Sequence, residues 1–525
     1  MKLPTHIEAL LDPRAHPDNP KNVELIQTHI SYILLTPEYV YKIKKPVDFG
    51  FLDFTTLEKR KHFCYEEIRL NRRLTEGIYL LVVMIKESDG AFRFVESEAA
   101  ATEGKTIDYA VKMRRFPEDT TLSSLILKDR VDSKLIRKIA RRIADFHSEA
   151  ETNDRISKFG ALDIIEKNAL ENFSQTSDFI GQTISKEKFN KIKDFTEKFL
   201  KKNKELFARR ASLGLIKDCH GDIHTEHISV TDKIDVIDCI EFNERFRYSD
   251  VVSDAAFLSM DLDFLSRGDL ARVLEDEYFK MTPEKSNARD GKKLMNFYKS
   301  YRAYIRGKVE CLKVLEEEVE EKDRIMAKLN AMHHFHLTGL YAEGGFRPML
   351  IVMSGLSGTG KSTVAALLHK ETNPSVITSD IIRKEIYNID PDSENKTSFE
   401  TGIYTKAGTE KTYATLVERG EKLLQCGRSV ILDATFSKER FRKAAKLAAE
   451  NANAEFQIIE CVLDEGEIKK RLAKRALTKS ISDADFDIYL KQRELFESIE
   501  EEHIRIDTMN KEEAILETIY KQIFR

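Results

Sequence analysis

No Cys-x-x-Cys pair occurs in this chain: its six cysteines, Cys64, Cys219, Cys239, Cys311, Cys426 and Cys461, are scattered along the whole length. That pattern argues against a disulfide scaffold and a zinc ribbon and fits a reducing cytoplasm. Long apolar runs are missing too. The longest, YLLVVMI (Tyr79 to Ile85) and MLIVM (Met349 to Met353), are far too short to span a bilayer and read as buried strands, so no membrane association is expected. The first residues, MKLPTHIEALLDPRAHP, show no long apolar stretch and no cleavage-site pattern, so a signal peptide is not expected. A strong charge imbalance is absent, the formal net charge being -4. Bulk electrostatics therefore point to neither nucleic acid nor a membrane surface. There is no internal repeat and no low-complexity tract. What remains is an ordinary globular balance, 41% hydrophobic and 33% charged, over 525 residues. That length exceeds what one hydrophobic core serves, and two or three domains are expected.

Three blocks follow one another. The first, to about Phe116, contains strand-like YILL and YVYKIKKPV, a breaker-free helical pattern from Leu57 to Leu74, and strand-like YLLVVMI, AFRFVES and DYAVKMRRF. This predicts a small α+β lobe. The second, from about Pro117 to Gly345, is mostly helical: Lys134–Glu149, Lys186–Arg210, Leu270–Lys280 and one long stretch from Gly291 to His336. The acidic run from Glu316 to Asp323 reads as a solvated face of that last helix, and HHFH (His333 to His336) as a solvated helix end. Gly214 to Phe242 interrupts the helices with strands and turns. EGGFRP (Glu343 to Pro348) punctuates the chain. Beyond it MLIVMS, SVITSD, SVILDA and EFQIIECVL alternate with helical stretches, the signature of a doubly wound parallel α/β sheet. The expected domains are 1–345, with a small lobe to about 116 and a helical lobe after it, and 346–525.

Residues Gly355 to Ser362 read GLSGTGKS, a full match to G-x-x-x-x-G-K-[ST], placed between an apolar strand and a helical pattern. The glycines Gly355, Gly358 and Gly360 let the backbone curl so that N–H groups face phosphates. Leu356, Ser357, Thr359 and, at the helix start, Thr363 complete the cradle beside the positive end of the helix dipole. Lys361 reaches the β- and γ-phosphates, and Ser362 offers a hydroxyl to Mg²⁺. The expected ligand is ATP or GTP with Mg²⁺. Asp380 closes SVITSD at the carboxyl end of the second strand, where it can act as general base toward an acceptor hydroxyl. Arg383 lies one turn later. Asp433 closes the apolar run SVILD at a Walker B position, with Thr435 nearby and Arg440 in the next helix. Arg471 and Arg475 share a helix face at i,i+4 and can close over triphosphate. The bland alternatives are a helix N-cap aspartate with a solvent arginine, and a solvated basic face.

GLSGTGKS, SDIIR, VILDATF and RLAKRA with SISDADF together resemble the small P-loop kinases that include gluconate kinase, the zeta toxins and the polynucleotide 5′-kinase domain. The resemblance covers Met349 to about Glu501. It implies an adenylate-kinase-like sheet, a lid carrying Arg471 and Arg475, and an acceptor activated by Asp380; it does not name the acceptor.

Residues His220 to Asp222 read HGD, and IDCIEF follows. This resembles the aminoglycoside phosphotransferase and protein-kinase-like fold, and more narrowly bacterial fusions in which such a domain precedes a P-loop kinase domain. The resemblance covers about Asn22 to Tyr304. It implies Asp222 as base, metal ligands at position 227 and at Asp238, a nucleotide lysine at Lys42 or else Lys44, its glutamate partner at Glu67 or Glu66, and a hinge strand in YAVKMRRFP. Two departures stand out: His227 occupies the place of asparagine, a poor exchange for Mg²⁺, and no G-x-G-x-x-G loop is present. His220, His224 and His227 with Asp222 and Glu226 have no further ligand to fix a zinc geometry in the sequence.

The chain therefore reads as an ATP-dependent phosphotransferase. The carboxyl-terminal domain would transfer the γ-phosphate to a hydroxyl of a small molecule, a nucleotide-sugar or a polynucleotide end such as RNA. The amino-terminal domain would be a second phosphotransferase or a nucleotide sensor. The competing reading is a nucleotide-driven switch without a small acceptor. Oligomeric state is not legible.

Overall fold

The strand-like runs of the first block form one antiparallel sheet. Its members are β1 (Glu24–Gln27), β2 (Ser31–Leu35), β3 (Tyr39–Lys44), β4 (Tyr79–Ser88), β5 (Ala91–Val95) and β6 (Lys105–Arg114). They lie in the order β1-β2-β3-β6-β4-β5. This computed structural model describes residues 3–96, 104–283, 288–316, 319–389, 405–475 and 486–525, with the backbone alone at 288 and 475. Along β3 side chains alternate between faces. Tyr41 and Ile43 enter a core with Ile7, Leu34, Val83, Ile85 and Phe94. Lys42 and Lys44 take the other face, where Lys44 meets Glu67 of helix Leu57–Asn71. Thr56 caps that helix by accepting a hydrogen bond from the Lys59 amide.

Helix Ser133–Glu149 buries Ile136, Ile139, Ala140, Ile143 and Phe146, the spacing of one apolar stripe. The segment around HGD is built of short strands. β7 (Ile216–Asp218) precedes β8 (Ile228–Val230) and β9 (Ile234–Val236), which pair antiparallel, and β10 (Tyr248–Asp250) returns to pair with β7.

Two of the expected helices are each two. Lys186–Arg210 breaks into Lys186–Lys202 and Lys204–Ser212, and the long stretch into Ala288–Val314 and Glu321–Ala342. The acidic run is therefore not one helix face: Glu316, Val319 and Glu320 lie between the helices and Glu321 to Asp323 open the second; residues 317–318 fall outside the described ones. Like charges one turn apart oppose helix continuation, whereas Glu321 and Asp323 suit the first turn of the next helix. HHFH is not a solvated end: His333 and His334 are 7% and 2% exposed. Their rings pack on Phe264, and His333 also stacks on Phe524.

Past Pro348 the strands are β11 (Met349–Ser354), β12 (Ser375–Thr378), β13 (Val430–Asp433), β14 (Glu455–Val462) and β15 (Ile504–Asp507). They form a parallel sheet in the order β12-β13-β11-β14-β15. Both faces are covered, as such sheets require. Ile351, Met353, Ile431, Ile459 and Ile506 pack with helices Lys361–Thr372 and Glu512–Ile523. Leu350, Val352, Leu432 and Ile458 pack with helices Lys406–Gln425 and Glu439–Asn451.

The chain divides into two compact units: Met1–Asn168 with Phe199–Leu258 and Val273–Tyr298, and Ala169–Lys198 with Ser259–Arg272 and Lys299–Arg525. This division does not follow the punctuation at Glu343 to Pro348. Leu329 and Met332, upstream of it, sit in the same core as β11 and β13. Among the described residues no helix is long and apolar enough to cross a membrane.

Candidate functional site

In the second unit β11 ends at Ser354 and the loop to Gly360 turns into helix Lys361–Thr372. Gly355 and Gly360 have φ of 132° and 92°, in the left-handed region that favours glycine. A Cβ at Gly355 would stand 2.4 Å from the Cys461 carbonyl oxygen, and one at Gly360 3.1 Å from Thr508 Cβ. Lys361 Nζ donates to the Leu356 carbonyl at 2.9 Å, curling back over the loop. The parallel register sets Asp433 beside Met353, so the end of β13 lies against the loop. Ser362 Oγ donates to Asp433 Oδ2 at 2.6 Å. A hydroxyl and a carboxylate oxygen at that spacing are hard oxygen donors and fit Mg²⁺.

Asp380 is placed differently from the expectation. β12 stops at Thr378, and Asp380 lies in the first turn of helix Ser379–Ile386, neither at the strand end nor at the N-cap, which is Thr378. Arg383 follows one turn on, 6% exposed, with Nη1 3.4 Å from Thr409 Oγ1. One cavity of about 1340 Å³ is lined by Gly358, Lys361, Ser362, Asp380, Arg383, Asp433 and Arg471. Arg471, on helix Glu465–Arg475, is anchored by Nη1 to Thr508 Oγ1 at 3.1 Å and Nη2 to the Thr508 carbonyl at 3.0 Å. The Arg475 side chain and the SISDAD segment lie outside the described residues. Arg440 pairs with Glu410, also at this cavity.

Sequence reasoning missed three contributors. The Ser357 amide of the loop donates to Gln492 Oε1 at 3.0 Å. Thr508 holds both Arg471 and the loop, donating to the Thr359 carbonyl at 2.7 Å. Tyr413 OH sits 2.9 Å from Thr435 Oγ1 and accepts from the Phe436 amide. None lies in a motif; each arrives from a distant element.

In the first unit, Lys42 Nζ lies 2.9 Å from Glu67 Oε1 and 2.5 Å from Asp238 Oδ1. Lys44 Nζ lies 2.7 Å from Glu67 Oε2 and also pairs with Glu241. Glu67 thus serves both lysines, because residues i and i+2 of a strand share a face. Glu66 turns away to pair with Arg69. Burial opposes the charge on Lys42, but the Asp238 and Glu67 carboxylates outweigh it and hold its pKa well above the usual value. Burial would raise Asp238, but Lys42 and His227 outweigh it and hold its carboxyl well below the usual range. Asp238 adopts φ of 62°, a left-handed conformation that aspartate tolerates.

Asp222 Oδ2 is 3.4 Å from His227 Nδ1, and His227 Nε2 is 3.7 Å from Asp238 Oδ2. Asp222, His224 and His227 each bring one ligand atom within 4.8 Å of the others. Tertiary structure thus supplies a convergence that the sequence left open. His220 is not in this group, and burial lowers its pKa to about 3. The Asp254 carboxylate holds the turn by accepting from the His220 and Gly221 amides at 2.8 Å each. A nitrogen donor at His227 does not suit Mg²⁺, which prefers an all-oxygen octahedron.

The glycine loop between strand and helix, the adjacent Ser362–Asp433 pair and the parallel sheet define a P-loop NTPase domain. Residues 350–499 match the model of the AAA domain family. Uncharacterized proteins of Mycobacterium tuberculosis and Mycobacterium bovis are each 28% identical over 483 residues, covering 91% of this chain and 92% of the relative. Similar solved structures include a putative kinase from Chloroflexus aurantiacus, 15% identical, covering 34% of this chain and all of that one, with a TM-score of 0.28. A gluconokinase from Sinorhizobium meliloti is 18% identical, covering 34% and 95%, with a TM-score of 0.25. An APS kinase of Mycobacterium tuberculosis is 18% identical, covering 33% and 96%, with a TM-score of 0.25.

Proposed function

We propose that the P-loop domain is an ATP- or GTP-dependent, Mg²⁺-requiring kinase that phosphorylates a hydroxyl acceptor. The observation that carries this is the single cavity shared by Lys361, Ser362 and Asp433 with Asp380 and Arg383. A switch needs the first three; a carboxylate and a buried arginine lining the same cavity suit an acceptor. The loop amides from Gly355 to Gly360, with Ser362 and Thr363, bind the phosphates. Ser362 and Asp433 hold Mg²⁺, which neutralises phosphate charge when bound. Asp380 takes the acceptor proton as its oxygen attacks the γ-phosphorus and the bond to the β-phosphate oxygen breaks. Lys361, Arg383, Arg471 and Arg475 stabilise the charge on the transferred group. The acceptor class is a small molecule, a nucleotide-sugar or a polynucleotide end such as RNA.

For the amino-terminal module, taken in chain order as 1–345, the reading is a kinase-like nucleotide site. Lys42 paired with Glu67 would meet phosphates, Asp222 would be base, and Asp238 with His227 the metal position. The Lys42–Glu67–Asp238 chain of charges supports it.

The test uses γ-labelled ATP with Mg²⁺ and extracts split into small-molecule, RNA and protein fractions. Transfer lost in Lys361→Ala, and lost in Asp380→Ala while nucleotide affinity is kept, is the expected result. Unaltered transfer in Asp380→Ala sinks the base assignment; free phosphate without any labelled acceptor sinks the kinase reading. A second labelled product lost only in Asp222→Ala is the expected mark of an active amino-terminal site.

A further inference from the structure

We propose that the pocket between His227 and Asp238 takes a transition-metal ion of the Mn²⁺, Co²⁺ or Zn²⁺ class in preference to Mg²⁺. His227 Nδ1 lies 3.0 Å from the Asp222 carbonyl oxygen. A carbonyl only accepts, so in the neutral ring Nδ1 carries the hydrogen and Nε2 has the lone pair. This is the outer hydrogen bond by which metal-binding histidines are oriented. Nε2 lies 3.7 Å from Asp238 Oδ2. A cation with bonds of about 2.1 Å to each bridges that gap at an angle of roughly 120°.

Asp238 is fixed for the task. Lys42 occupies its Oδ1 at 2.5 Å, leaving Oδ2 toward the histidine. More donors stand next to the pair. His224 is buried, its ring centroid 3.7 Å from that of His227 and its Nε2 3.8 Å from Asp222 Oδ2. The carboxylates of Asp222, Asp238, Glu67 and Glu241 outnumber the ammonium groups of Lys42 and Lys44 and leave the site anionic. The His227 imidazole with the Asp238 carboxylate, and His224 and Asp222 adjoining His227, supply a mixed nitrogen and oxygen set. Such sets bind first-row transition ions, whereas Mg²⁺ sheds water reluctantly and favours oxygen. Asparagine at 227 would present a carbonyl oxygen; histidine replaces it with a softer donor.

The test is metal titration of the full chain without nucleotide, by calorimetry with Mn²⁺, Zn²⁺ and Mg²⁺ and by the visible absorption of bound Co²⁺. Far-ultraviolet circular dichroism checks that each variant is folded. The wild type should bind Zn²⁺ or Co²⁺ at least about 100-fold more tightly than Mg²⁺. His227→Asn should lose about 10-fold or more of that affinity, with a weakened Co²⁺ spectrum, and narrow the gap to Mg²⁺. Asp238→Asn should lose transition-metal affinity to a similar degree. Mg²⁺ binding as tightly as Zn²⁺ in the wild type would overturn the proposal. So would Co²⁺ affinity that either variant leaves unchanged. The readout is binding, so it stands apart from any kinase activity.

Discussion

His333 and His334 make the stability of the P-loop unit sensitive to acid. Both are buried in helix Glu321–Ala342, and the Nδ1 atom of each has no hydrogen-bond partner among the described residues. Burial pushes the His333 pKa down to about 3 from an ordinary 6.5, and that of His334 well below 6.5. In the folded state these rings are neutral where the unfolded chain would be protonated. Their contribution is fully present above pH 6.5 and is lost as pH falls from 6.5 toward 3. At pH 5 the deficit is 1.5 pH units, which at about 1.36 kcal/mol per unit is about 2 kcal/mol for His333 alone. His333→Phe keeps an aromatic ring against Phe264 and Phe524 while removing the titration. With a urea slope of about 3 kcal/mol/M, the fall in unfolding midpoint from pH 7.5 to pH 5 should shrink by about 0.7 M in the variant. The chain has no tryptophan, so far-ultraviolet circular dichroism is the probe. Equal midpoint shifts in wild type and variant would refute burial of a neutral ring at this position.

The remaining predictions concern the two sites. Lys44→Met leaves Glu241 and Glu67 buried with one cation fewer, and should cost about 3–5 kcal/mol, as uncompensated buried charges do. For a unit of this size that is a fall in Tm of about 10 °C; a change under about 3 °C would show that these carboxylates are protonated or solvated. Ser362→Ala removes the hydroxyl bonded to Asp433 and should cut the gain in ATP affinity on adding Mg²⁺ about tenfold, measured by calorimetry against a chelator control. The same Mg²⁺ dependence in both proteins would remove Ser362 from the metal position.

Much of the P-loop side was legible because it is local. The loop GLSGTGKS has chemistry set by consecutive residues: glycines where φ must be positive, then a lysine and a serine at the start of a helix. The apolar runs that became β11, β13 and β14 are short and continuous, the pattern of strands covered on both faces. β1 and β15 were not read: Ile504–Asp507 has two apolar residues, and its neighbours decide its pairing. Helix ends were misplaced at Asn203 and around Glu316, where periodicity continues across the break although the backbone does not.

By itself, the sequence determined the kinds of group available: a phosphate-binding loop, carboxylates at the ends of apolar runs, lysines two apart on a strand, and an HGD turn followed by IDCIEF. Tertiary structure decided which of them meet. It gave Glu67 to both Lys42 and Lys44 and turned Glu66 outward, set Asp433 against Ser362 by strand register, and brought Gln492 and Thr508 to the loop. It also buried His333 and His334, drew Asp222, His224 and His227 together, and set Asp238 beside His227. The physical reason is range. Backbone conformation and side-chain periodicity depend on neighbours along the chain, whereas charge pairing, burial and metal geometry depend on residues brought together only when the cores close.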